Sequence, residues 1–282
     1  MELEISAVEA GLRTLHTDGP QRAVTEHILA LADQAGCGAA LIDAVAQGHT
    51  AAAVITWPQF AHMVRAAAHG LSRRGLGEAD TAGIFVDDAV SHAVAVHAVR
   101  AAGAIAAPVR PAQSAADIAA ELKERRVRLL ITSAGLAEVA IEVAERSWVR
   151  QVYAFGEAEG TTPFGSLLET PRFALTGLGP EGLEPEGLRP DGFAPDRAVP
   201  QLIRRPVPQL TCRDVVLATP PCGDPDAYTS LLDFALAAGA TIVAVPLAQV
   251  TAAIGLYQGT AAIVPRGTEV PGLPAGRVLA VG

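Results

Sequence analysis

Cys222, Asp224, Asp226 and Tyr228 fall within one short stretch, just after the apolar run 214–219. A thiol beside carboxylates and a phenol suits nucleophilic chemistry only where a base or a helix N-terminus lowers the thiol pKa. No histidine follows His97, so any base for Cys222 must come from the first half of the chain. The simpler reading of the same residues is a turn and a helix N-cap. Asp87 and Asp88 end one apolar run and Arg110 ends the next. Ligands of open α/β sheets bind at such strand ends, although an aspartate there also serves as a helix cap. His92 and His97 are five apart, off a single helical face, and make poor joint metal ligands. His62 and His69 are seven apart and read as partly exposed helix residues. Cys37, Cys212 and Cys222 have neither zinc nor redox-pair spacing. Gly177 to Gly182 spells GxGxxG, but Pro180 removes an amide donor and no strand or helix flanks it. There is no GxSxG elbow and no Walker A loop. No catalytic residue and no metal site is assigned.

The elements that would position these residues follow from periodicity. Helices are expected at 2–15 and 21–35, then a hairpin of 39–44 and 53–57 around Gln47-Gly48-His49, then a helix from Pro58 to Arg74. Strands at 81–86, 104–109, 128–132 and 149–155 alternate with helices at 88–102, 114–126 and 136–146, which calls for a parallel sheet. A turn is expected at 164–168. After it, strands at 214–219, 241–245, 261–264 and 277–281 alternate with helices at 226–238 and 248–258. An echo joins the halves. Ala101-Ala102-Gly103-Ala104 with Pro108 matches Ala237-Ala238-Gly239-Ala240 with Pro246, so two similar half-domains are expected. Between them, 179–198 runs as four pentapeptides: GPEGL, EPEGL, RPDGF and APDRA. This segment reads as a solvated acidic spacer, and polyproline-like docking to a partner is the alternative. The organisation expected is N-terminal helices at 1–38, a first α/β subdomain at 39–170, a linker at 171–210, and an incomplete second subdomain at 211–282.

The 282 residues carry a net charge of −9, which argues against nucleic acid and anionic membranes. No apolar run is long enough for a membrane helix and no secretory leader is visible, so a cytoplasmic protein is expected. Lys123 is the sole lysine among 21 basic residues, a bias expected of a GC-rich, bacterial genome. Any lysine needed at a phosphate must be Lys123 or come from a second chain.

Ile55-Thr56-Trp57, Gly70-Leu71, Glu78-Ala79-Asp80, 96–104, Pro108, Pro111, Ala120-Glu121-Leu122 and Leu130-Ile131-Thr132 occur in an order that resembles the N-terminal half of the adenylate-forming superfamily. That superfamily includes acyl-CoA synthetases and peptide-synthetase adenylation domains. Asp214 to Leu217, 235–241, 262–265 and 277–282 resemble its next strands. The resemblance implies an α/β fold of two related half-domains, each a mostly parallel sheet flanked by helices. It places substrate contacts at Cys222, Asp224, Tyr228, Pro265 and Gly282. The family's Ser/Thr/Gly-rich phosphate loop and its lysine have no counterpart before Asp214, and the chain ends before the adenine, ribose and magnesium motifs. The expectation is therefore a degenerate, pseudoenzyme-like binding or scaffold protein with no cofactor, ATP and magnesium included. Its partner would be a second chain or another copy, or an acyl or aromatic carboxylate ligand. The alternative is one component of a split acyl-CoA ligase, dependent on a second chain for its lysine. A Rossmann-like enzyme would need a glycine-rich first turn, which is absent.

Overall fold

Strand residues alternate between two faces, so their burial shows which layers they join. The structure, a computed structural model, describes residues 18–44, 53–169 and 209–282. The expected helix at 2–15, the hairpin turn and the pentapeptides lie outside these residues. The first described helix, α1, is Asp18–Gln34, and it begins earlier than its apolar period suggests. The strands β1 (Ala39–Asp43) and β2 (Ala53–Thr56) pair antiparallel as expected. Helix α2 (Trp57–Arg73) starts on a capping box, with Thr56 and Gln59 satisfying each other's backbone amides and Pro58 in the first turn. Such a cap stabilises a helix by about 1 kcal/mol.

The next elements are β3 (Thr81–Phe85), α3 (Ala89–Ala101), β4 (Ile105–Pro108), α4 (Ala115–Glu124), β5 (Leu129–Ser133), α5 (Ala137–Glu145), β6 (Gln151–Phe155) and the short β7 (Thr162–Pro163). They form a five-stranded parallel sheet in the order β4-β3-β5-β6-β7. A 3-10 turn at Phe164–Leu167 follows. The second series is β8 (Val215–Ala218), α6 (Pro225–Ala237), β9 (Thr241–Ala244), α7 (Val250–Tyr257), β10 (Ala261–Pro265) and β11 (Val278–Val281). The six-stranded sheet runs β11-β10-β8-β9-β1-β2.

That order corrects one expectation. The hairpin 39–56 does not sit in the first sheet, as a subdomain of 39–170 implies. It extends the second sheet through parallel pairing of β1 with β9. The pairing joins residues about two hundred apart in sequence, which no local pattern reveals.

The burial is layered. Ala82 and Ile84 of β3, Val216 and Ala218 of β8, and Ala261 and Ile263 of β10 face one shared core with α1, α2, α3 and α6. Phe85 and Leu130 face a second core with α4 and α5. Leu217, Val243, Ala262 and Val264 face a third core with α7. The result is five layers, with one helical layer shared by both sheets. Each fully buried leucine or isoleucine of this kind contributes roughly 2 kcal/mol.

The echo in sequence is an echo in structure. The order β4-β3-β5-β6 matches β9-β8-β10-β11. Helices α3 and α6 both have 13 residues, with Asp88 and Asp224 as their N-caps. Both end on a left-handed glycine, Gly103 at φ +85° and Gly239 at φ +76°. Their amides bond alike: Gly103 to the Arg100 carbonyl and Gly239 to the Leu236 carbonyl. Asp80 accepts from the Gly77 amide as Asp214 accepts from the Thr211 amide.

Candidate functional site

In a parallel sheet every strand points the same way, so the loops that carry function collect at one edge. Here the carboxyl edges of the two sheets meet around the N-termini of α3 and α6. Asp43 ends β1, while Asp87 and Asp88 follow β3. Burial pushes the Asp88 carboxyl above the usual range, and the charges of Asp43 and Asp87 add to it, against bonds from Ser91. Asp88 accepts the Ser91 amide at 2.6 Å, and Asp87 accepts the Ser133 hydroxyl. Asp88 is thus both a strand-end aspartate and the cap of α3, while Asp87 turns to Ser133.

The residues expected to contact substrate gather at this edge of the six-stranded sheet. Asp224 caps α6, accepting the amides of Asp226 and Ala227 at 3.0 and 3.4 Å. Its own amide donates to the Gly282 carbonyl at 2.8 Å. Gly223 makes this closure possible: it has φ +61°, and a Cβ there would lie 2.8 Å from the Gly282 oxygen. Pro265 ends β10 opposite Val281. The guanidinium of the exposed Arg266 lies against Gly282. Cys222 is half-buried, and burial pushes its thiol up, opposed by a bond with Thr219. That is the wrong direction for a nucleophile.

Tyr228 departs from its expected role. It is fully buried and its hydroxyl donates to the Thr219 carbonyl at 2.6 Å. Burial raises its pKa well above the ordinary phenol value. Tyr228 is a strut that ties α6 to β8, and it offers no free group to a ligand.

Behind the edge runs a buried polar seam. The His92 ring meets Tyr228 edge-on at 5.3 Å, and His92 Nε2 lies 2.8 Å from Thr229 Oγ1. Thr229 already donates to the Pro225 carbonyl, so the ring nitrogen must be the donor. His97 Nδ1 lies 2.9 Å from Thr25 Oγ1, and its Nε2 is 3.5 Å from Asp233. Arg100 donates to Asp233 at 2.7 Å, while its buried Nε has no partner among the described residues. Burial lowers the His92 pKa from 6.5 to about 3 and that of His97 to about 4. Asp233 opposes the shift, and Arg100 adds to it.

The seam has an order of its own. His92 and Tyr228, and His97 and Asp233, are each 136 residues apart, the same spacing as the caps Asp88 and Asp224. Equivalent positions therefore touch, and α3 and α6 run parallel and in register. Sequence reasoning set both histidines aside as poor metal ligands and did not find the seam. Two signals were present: the repeat offset, and the apolar residues all round α3, which mark a helix buried on every side. No cluster that could hold a metal ion occurs among the described residues. His62 and His69 are exposed on α2, and Arg110 is exposed after β4.

A layered α/β fold of this kind, with two mostly parallel sheets around a shared helical layer, is the fold of the N-terminal domain of adenylate-forming enzymes. A long-chain-fatty-acid-CoA ligase from Archaeoglobus fulgidus superposes with a TM-score of 0.64 at 16% identity, over 86% of this chain and 51% of that one. A benzoate CoA ligase from Burkholderia xenovorans LB400 gives 0.64 at 18% identity, over 91% and 54%. The amide bond synthetase McbA from Marinactinospora thermotolerans gives 0.62 at 17% identity, over 87% and 49%. The chain thus spans about half the length of these structures. The family model described as AMP-binding enzyme matches residues 35–170, a partial AMP-binding domain. No curated protein matches the chain in sequence.

Proposed function

We propose that this chain is an acyl-CoA-ligase-like binding protein that does not adenylate on its own. The observation that carries the reading is the chemistry of the carboxyl edge. A polyphosphate needs free backbone amides and cations. The N-termini of α3 and α6, around which the two edges meet, are already capped by Asp88 and Asp224, and Asp43 and Asp87 place further carboxylates beside Asp88. The sole lysine, Lys123, is exposed in the last turn of α4, which points to the opposite edge of the sheet. These residues do not fit the triphosphate of ATP. The ligand this edge suits is an acyl or aromatic carboxylate whose head group meets the exposed Arg266 beside Gly282.

A panel of fatty and aromatic carboxylates tests this by thermal shift, with and without ATP-Mg. The reading expects stabilisation by some carboxylates, unchanged by nucleotide and lost in Arg266→Ala. Carboxylate-dependent release of AMP would sink it. The second reading is a partner-dependent ligase whose lysine comes from another chain. The retained fold and the absence of a lysine near the edge both favour it. A pull-down that recovers a lysine-bearing ligase fragment and restores AMP release would establish that reading over the first.

A further inference from the structure

We propose that a groove at the amino edge of the five-stranded sheet, built on Trp148, Arg128 and Arg150, docks the chain's own proline–acid repeat, residues 179–198. The groove has a volume of about 530 Å³ and is also lined by Ser147 and Val149. Trp148 is 57% exposed, whereas Trp57, the chain's other tryptophan, is buried at 4%. The Arg150 amide donates to the Arg128 carbonyl at 2.8 Å, which sets the two arginines side by side on the lead-ins to β5 and β6. Neighbouring Arg125 and Arg146 hold Glu121 and Glu142 at 2.9 and 2.7 Å. Arg128 and Arg150 have no ion pair among the described residues. An exposed indole flanked by two unpaired guanidiniums, on a chain of net charge −9, is a concentrated positive and aromatic patch. Tryptophan and arginine are the residues that most often dominate protein contacts.

The repeat supplies the complement. Each pentapeptide holds a proline followed at once by an acid: Pro180-Glu181, Pro185-Glu186, Pro190-Asp191 and Pro195-Asp196. Its five acids outnumber its two arginines. Proline rings in extended segments stack on aromatic platforms, and carboxylates pair with guanidinium forks. The tether reaches. The Glu169 carbonyl is held by Arg73, and Arg74, which bonds the Ser166 carbonyl, lies over the Tyr153 ring on β6. Trp148 is five residues from Tyr153, roughly 17 Å along an extended chain, while eleven residues from Glu169 to Pro180 span up to roughly 36 Å. Tethering also favours this segment over a second copy, because a flexible link supplies roughly millimolar effective concentration.

Acrylamide quenching of tryptophan fluorescence tests the docking, with Trp148→Phe giving the Trp57 baseline and circular dichroism confirming that each variant is folded. In one variant residues 179–198 are replaced by a glycine-serine spacer of equal length. The quenching constant of Trp148 should rise about twofold in that variant, as the indole regains its free face. A synthetic 179–198 peptide should restore protection, and Arg128→Glu with Arg150→Glu in the full chain should remove it. Equal quenching in the full and spacer-replaced chains overturns the proposal. Protection that grows with protein concentration alongside a dimeric mass also overturns it, by assigning the groove to a second copy.

Discussion

The buried histidines make acid the sharpest probe of the seam between the halves. In the fold, His92 and His97 hold pKa values of about 3 and about 4, against 6.5 for the free side chain. The unfolded chain therefore binds two more protons than the folded one once pH drops below 6.5. The neutral rings contribute stability that is complete above that point and lost as pH falls toward the folded values. At pH 5 each ring costs about 2 kcal/mol relative to pH 7, so together they remove about 4 kcal/mol. Against a total stability of roughly 5–15 kcal/mol this is a large share. Asp88 acts in the opposite sense, because its raised pKa lets the fold take up a proton before the unfolded chain does. The lowered pKa values of Asp33 and Asp214 act at lower pH and leave the window from 7 to 5 untouched. Urea unfolding followed by circular dichroism at pH 7, 6 and 5 measures the effect. The midpoint should fall by more than about 1 M across that range. The slope should flatten in the double variant His92→Gln, His97→Gln. A midpoint that does not move, or a double variant that keeps the full slope, refutes the reasoning.

Other outcomes follow from single contacts. Asp233→Ala leaves the Arg100 guanidinium buried without its partner and should cost about 3 kcal/mol, read from thermal melts; a loss below about 1 kcal/mol would mean that water replaces the carboxylate. Gly70→Ala would put a methyl 2.3 Å from the Leu167 carbonyl oxygen. The resulting shift of the 3-10 turn should destabilise by about 2 kcal/mol, although alanine favours helix by about 1 kcal/mol; a stabilised variant in urea would contradict the close approach. Cys222 should react with iodoacetamide more slowly than the exposed Cys37 and Cys212, as followed by mass spectrometry. Equal rates would show an accessible thiolate.

Much of this architecture is legible in the sequence. The continuous burial of Val215–Ala218 and Ala261–Pro265, and the aspartate caps Asp88 and Asp224, are local matters that the chain states plainly. Two features were not legible for physical reasons. The partner of β1 is β9, a choice made by the closing of a sheet and invisible to any window along the chain. The seam joins His97 to Thr25, Asp233 and Arg100, on three different helices, and periodicity ranks faces without naming which polar groups will meet across them. At the candidate site, the clustering of Cys222, Asp224 and Gly282 was legible as strand ends. The burial of Tyr228 was not, because a tyrosine four residues past a cap reads equally well as a lining residue.

Titration calorimetry of the full chain with ATP-Mg tests most directly the proposal that this ligase-like chain does not handle ATP by itself, and it needs no knowledge of the carboxylate. The edge capped by Asp88 and Asp224 predicts no binding tighter than about 1 mM. Micromolar binding of ATP-Mg, followed by AMP formation when a carboxylate is added, would contradict it.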